Sequence, residues 1–198
     1  MDYSYEQKLI DQGHKIICGI DEAGRGPLAG PLVAAAVIVD VSKLELFTDI
    51  DESKSLTSKK REEFFNLIIN NVLAWSVGIS RHDEIDQQGI AFANQMAMKR
   101  AWKYLSITPD YILFDHVWNL HFLTPHEAII KGDKTVISIA MASIVAKVMH
   151  DRMIDAYDRI YPEYEFAKHK GYGTALHMAK IKEFGPCPIH RRSFAGVA

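Results

Sequence analysis

The sequence predicts an α/β protein with a mixed central sheet flanked by helices and a small helical part at the C-terminus. Three strand-like apolar runs lead the chain, and helical and strand-like segments alternate after them, the succession that builds a layered sheet-and-helix domain. Glycine and proline punctuate the boundaries, as at Pro109, Pro162 and the pair Gly185–Pro186.

Residues 15–20 read as a buried strand and residues 32–39, rich in Val and Ala, as a second, with the Gly/Pro-rich stretch between them as the turn. "VLAWSVGIS", residues 72–80, reads as a third. "ESKSLTSKKREEFFNLIINN" follows helical logic: Thr57 or Ser58 caps it, and Phe64, Leu67 and Ile68 form its apolar face. Residues 83–105 predict one long helix, with Phe92 and Met96 a turn apart. Pro109 precedes "YILFD", a short strand ending in Asp115. Residues 127–130 read as a further strand running into "KGD", and residues 138–161 as a long helix closed by Pro162. Thr174 caps a last helix that reaches Phe184 and stops at Gly185.

A length of 198 residues fits one domain, expected to cover residues 1–198, with 163–198 as a helical extension. Hydrophobic residues make up 48 % and charged residues 24 %, enough apolar material for a real core in a water-soluble chain. A net charge of −2 excludes a uniformly basic nucleic-acid binder but allows local basic patches. Cys18 and Cys187 fall in no metal or redox spacing, so a reduced, cytoplasmic setting is expected. "MDYSYEQKLI" lacks the order of a signal peptide, and the longest apolar stretch is too short to span a bilayer. No membrane association is expected.

Acidic residues recur where strands end: Asp21 and Glu22, Asp115, and Asp133. Strand ends in mixed sheets point side chains into shared clefts, where four carboxylates would repel one another unless divalent cations joined them. Hard oxygen ligands favour Mg²⁺ or Mn²⁺ over zinc. Two such ions about 3.5–4 Å apart would activate water and stabilise the leaving oxygen of a phosphodiester. Spacing alone leaves a second reading open, in which each acid caps a turn or a helix. The histidines at 116, 121 and 126 fit no standard zinc site.

Gly24, Gly26 and Gly30 miss the dinucleotide fingerprint, whose third glycine falls on Ala29, and Pro27 removes an amide that a phosphate cradle would use. No Gly-Lys-Ser/Thr is present, which excludes a P-loop. The Gly24-Arg25-Gly26 turn can bring bare backbone close to a sugar or phosphate, or can simply join two strands.

"GIDEAGRGPLAGPLVAAAVIV", "ESKSLTSKKRE", "LFD", "KGDKTVISIAMASIVAKVMHDR", "HKGYGT..H" and "HRRSF" occur in this order. In this the chain resembles the bacterial ribonuclease HII family over nearly its whole length. The resemblance implies a ribonuclease H-like fold and metal-dependent endonucleolytic cleavage of the RNA strand in RNA–DNA hybrids. It also implies incision on the 5′ side of ribonucleotides embedded in duplex DNA, leaving a 3′-hydroxyl and a 5′-phosphate, a role in ribonucleotide repair, and a monomeric enzyme. The family's metal-binding carboxylates fall on Asp21, Glu22, Asp115 and Asp133, expected to hold two Mg²⁺ or Mn²⁺ ions. Its ribose-sensing turn falls on Gly24, Arg25 and Gly26, and the tyrosine that stacks at the junction with DNA falls on Tyr172. Ser53, Lys54, Ser143, Lys147 and Arg191 are expected to contact phosphates, with Lys168, Lys170 and Arg192 adding positive charge, and residues 163–198 to help bind substrate. The chain departs from the family pattern at Glu52, Gly89, His116 and His150, where Asp, Asn, Gly and Arg are usual. A non-catalytic duplex-binding module is the competing class, and it leaves the four carboxylates without a purpose.

Overall fold

A computed structural model describes residues 1–50, 56–117 and 119–197. Its centre is a five-stranded sheet of β1 (Ile17–Ala23), β2 (Leu32–Ile38), β3 (Ala74–Ser80), β4 (Tyr111–Asp115) and β5 (His126–Ile129). The order is β3-β2-β1-β4-β5. β1, β2 and β3 pair antiparallel, whereas β4 and β5 add in parallel to the β1 side. The sheet is mixed, as predicted, because parallel β4 can be reached only through the helical crossover after β3.

The helices are α1 (Ser4–Asp11), α2 (Ser58–Asn71), α3 (His82–Gln88), α4 (Ile90–Lys103), α5 (Gly132–Thr135), α6 (Ile137–Ile160), α7 (Phe166–His169) and α8 (Ala175–Phe184). On one face α6 and α2 pack on Ile17, Val37 and Leu113; on the other α4 packs on Cys18, Ile20, Ala36 and Phe114. Covered on both faces, β2 is an unbroken apolar run rather than an alternating one. The helices ride directly on strand backbone at two glycines. A β-carbon on Gly19 would lie 2.1 Å from the carbonyl carbon of Ser138, and one on Gly78 2.0 Å from the carbonyl oxygen of Ala97. A third apolar cluster, including Ala29, Ile154, Phe166, Ile181 and Ile189, holds the C-terminal helices against the end of α6.

Two local expectations are corrected, and one helix is added. The first strand does not stop at Ile20: it runs through Asp21 and Glu22, which pair with Ala35 and Ala34 of β2. The acids are therefore held by a sheet ladder rather than a turn. The helix predicted over 83–105 is two helices broken at Gly89, whose φ of 81° and ψ of 156° end α3 and start α4. Only glycine enters that region cheaply. The N-terminal helix α1 was not anticipated, and its Glu6 is fully buried, accepting a hydrogen bond from the Ser138 amide at 2.9 Å. A carboxylate thus meets the N-terminus of α6, where unpaired amides favour negative charge.

Among the described residues no helix is long and apolar enough to cross a membrane.

Candidate active site

β1 and β4 run parallel with Ile20 beside Phe114, so Asp21 and Asp115 follow side by side at the carboxyl ends of two neighbouring strands. Pleating sends successive side chains of β1 to opposite faces. Asp21 points toward α6, where the Ser143 hydroxyl hydrogen-bonds to it. Glu22 points toward α4 and faces the buried amide of Asn94. Asp115 accepts the Gly132 amide at 2.9 Å, which draws the start of α5, and Asp133 with it, up to the end of β4.

Burial pushes the Asp21 carboxyl well above the ordinary carboxylate range, and the charges of Glu22 and Asp115 add to the rise. Glu22 is also raised by burial and by Asp115, against the opposing pull of Arg25 and Asn94. The Arg25 guanidinium stands 3.4 Å from Oε1 of Glu22, while Oε2 is buried without a partner. Crowded carboxylates with an orphaned oxygen are a donor set suited to a hard divalent cation. Among the described residues, no three His, Cys, Asp or Glu side chains are grouped to hold a metal ion.

Glu22, Gly24, Arg25, Gly26, Asp115, Ser143, Lys147 and Tyr172 line one cleft of about 230 Å³. These residues were singled out from widely separated parts of the sequence. Lys147 donates to Asp151 at 2.7 Å and places its ammonium 5.8 Å from the centre of the Tyr172 ring. The ring itself lies against Gly26. Asp21 and Asp133 are buried and do not line the cleft. Ser53 and Lys54 lie outside the described residues.

Arg191 is a correction. It was grouped with the phosphate contacts, but its side chain is fully buried and donates to four carbonyls: Gly24 at 2.6 Å, Gly30 at 3.0 Å, and Arg25 and Pro31 at 3.1 Å each. Its charge is spent on shaping the glycine turn, and burial lowers its guanidinium to about 10. Lys168 and Lys170 pair with Glu165 and Asp155.

Three residues were not foreseen. Asn94 sits on α4 with both polar atoms of its amide lacking a well-formed hydrogen bond, although it lies close enough to Glu22 to favour the charged carboxylate. Asn94 lies on the face of α4 that Ala93, Ala97 and Ala101 bury against the sheet, not on the face of Phe92 and Met96. His150, noticed only as a departure, is buried under Gly24, with Nδ1 3.0 Å from Asp151. His177 stands in the sequence as the last residue of "HKGYGT..H" with no role assigned to it; it donates to the Tyr172 carbonyl.

Carboxylates on adjoining strand ends, opening into a cleft beside a bare backbone turn, define an enzyme of the phosphodiester-cleaving kind. The Ribonuclease HII family model matches residues 18–197. The chain is 51 % identical over 193 residues to a ribonuclease HII of Geotalea daltonii, covering 98 % of this chain and 88 % of that one. It superposes on the ribonuclease H2 of Pyrococcus horikoshii OT3 with a TM-score of 0.78 at 28 % identity, over 91 % of this chain and 94 % of the other. The fold is also shared with Bst-RNase HIII in complex with Mn²⁺, with a TM-score of 0.72 at 18 % identity, over 94 % and 70 % of the two chains. The chain belongs to the ribonuclease HII family, endonucleases that cleave RNA in RNA–DNA hybrids and ribonucleotides in DNA.

Proposed function

We propose that Asp21, Glu22, Asp115 and Asp133 hold two divalent cations, Mg²⁺ or Mn²⁺, and that the adjoining turn and Tyr172 place a ribonucleotide over them. The observation that carries this is the single cleft uniting Glu22 and Asp115 with Gly24–Gly26 and Tyr172. The Mn²⁺ found with the Bst-RNase HIII relative supports divalent-metal use. Bound there, the cations would neutralise the carboxylates, polarise the scissile phosphate and activate water.

The protein's own residues do the selecting. Gly24 and Gly26 carry no β-carbon, so backbone can approach the 2′-hydroxyl, the group that distinguishes RNA from DNA at a given nucleotide. Tyr172, 42 % exposed, offers a ring on which the sugar or base at the junction with DNA can stack. Arg25 and Lys147 border the cleft and supply positive charge to flanking phosphates. Ser143 orients the Asp21 carboxylate, and residues 163–198 bring Tyr172 to the cleft as a substrate-binding extension. The products expected are a 3′-hydroxyl on the DNA side and a 5′-phosphate on the ribonucleotide.

The test is cleavage of two labelled duplexes, one with a single ribonucleotide and one with an RNA run, with Mg²⁺ and Mn²⁺ compared. Metal-dependent incision 5′ of the single ribonucleotide is expected. Cleavage that survives chelation of the metal would overturn the reading.

A further inference from the structure

Outside the carboxylate cleft, the C-terminal part buries Cys187, His190, His177 and His169 in one cluster. His190 turns Nδ1 toward Cys187 and Nε2 toward His177. Opposite nitrogens of one ring cannot serve one metal, so the cluster is a hydrogen-bonded chain rather than a metal cage. Its two ends determine the proton positions. The Cys187 amide, which can only donate, lies 2.9 Å from Nδ1 of His190, closer than the Cys187 carbonyl at 3.3 Å, so that nitrogen accepts. Nε2 of His190 then carries the proton and donates to Nε2 of His177 across 3.0 Å. Nδ1 of His177 in turn carries a proton and donates to the Tyr172 carbonyl, which can only accept, at 2.9 Å. Burial lowers both rings from their ordinary value, His190 to about 4, consistent with each holding a single proton at neutral pH.

The same tail grips the rest of the ribonucleotide reader. His190 bridges to Ala29, the Gly30 amide donates to the Ile189 carbonyl, and Arg191 holds the Gly24 and Arg25 carbonyls. Leu28 donates to the Gly171 carbonyl, next to Tyr172. Adjacent residues His190 and Arg191 thus fix the two halves of the cleft, the tyrosine loop and the glycine turn.

We infer that His177 and His190 form a proton-ordered pair that positions Tyr172 against the Gly24–Gly26 turn, making them positioning residues for recognition of an isolated ribonucleotide. This rests on the proposed stacking role of Tyr172. An ordered chain of single donors holds the loop at one height, and a small displacement of a positioning group costs much of its effect on rate.

The experiment measures the ratio of cleavage at a single embedded ribonucleotide to cleavage within a long hybrid for Tyr172→Ala, His177→Phe and His177→Asn. Nitrogen NMR of the histidine rings in the unmodified protein is recorded alongside. Tyr172→Ala is expected to lower the ratio roughly 5- to 150-fold, the range that loss of one stacked aromatic covers. His177→Phe should lower it about tenfold or more. His177→Asn, whose side-chain amide can still donate to the Tyr172 carbonyl, should restore it to within about threefold of the unmodified protein. The spectra should show His177 protonated at Nδ1 alone and His190 at Nε2 alone. The inference is overturned if folded His177→Phe keeps the ratio while Tyr172→Ala loses it, or if the rings carry the opposite protons. If Tyr172→Ala itself leaves the ratio unchanged, the stacking role falls and the positioning role with it, and the spectra still decide the proton order.

Discussion

The ring of Tyr172 lies against Gly26 so closely that a β-carbon there would stand 3.3 Å from Cε1 of the tyrosine. Gly24 is tighter still: its β-carbon would meet His150 Cδ2 at 2.6 Å and the Pro31 carbonyl at 2.9 Å, and its φ is +93°. The exposed Tyr172 ring can yield a few tenths of an ångström, whereas the Pro31 backbone and a buried histidine cannot. Gly24→Ala is therefore expected to lower cleavage at a single ribonucleotide by about tenfold or more, and Gly26→Ala by less. Mn²⁺ binding measured by calorimetry should be nearly unchanged in both. Equal effects of the two substitutions would contradict the difference in space.

Arg191 and Lys147 should separate in a salt titration. Removing the Lys147 charge with Met should reduce the slope of log affinity for duplex against log salt by about 0.9, the contribution of one phosphate contact. Arg191→Met should leave that slope alone and instead destabilise the fold, because each orphaned buried carbonyl costs about 1–3 kcal/mol. Urea unfolding is the check on the second effect. A changed slope for Arg191→Met would restore it to the phosphate contacts.

Much of this site was legible in the sequence, for physical reasons. Asp21, Glu22 and Asp115 stand out because acids at the ends of apolar strands need a shared cause, and paired glycines announce close backbone approach. What escaped depends on distant partners. Arg191 looks like a surface charge until the turn 160 residues earlier folds its carbonyls around the guanidinium. Nothing near Glu6 in the sequence marks it for burial, and its partner, the Ser138 amide, lies 132 positions away. The break at Gly89 was visible as a glycine, but the apolar periodicity on either side masked it.

Glu6 gives a prediction about stability. Glu6→Gln keeps an acceptor for the Ser138 amide, whereas Glu6→Ala leaves that buried donor unpaired and should cost about 1–3 kcal/mol. Thermal unfolding of the two variants at neutral pH compares them directly, and equal midpoints would contradict the capping role.

The His177–His190 pair sets an acid limit. Burial lowers His190 from the ordinary histidine value to about 4, helped by the charges of His177, Arg192 and His169 and opposed by the Cys187 backbone. His177 is lowered by burial and by His169. The unfolded chain therefore binds protons on these rings more readily than the folded one. Their contribution to stability is full above about pH 6.5 and is lost as pH falls toward about 4. His190→Gln should flatten that part of the stability profile in chemical denaturation, and an unchanged profile would exclude the pair as its source.

The most direct measurement is Mg²⁺-dependent cleavage of a duplex carrying one ribonucleotide by Asp21→Asn, with folding verified by circular dichroism. Asp21 stands beside Asp115 at the adjoining ends of β1 and β4, so its loss should remove several kcal/mol of charge stabilisation and slow cleavage by about a thousandfold or more. Near-normal cleavage by the folded variant would contradict the metal-cleft reading at its centre.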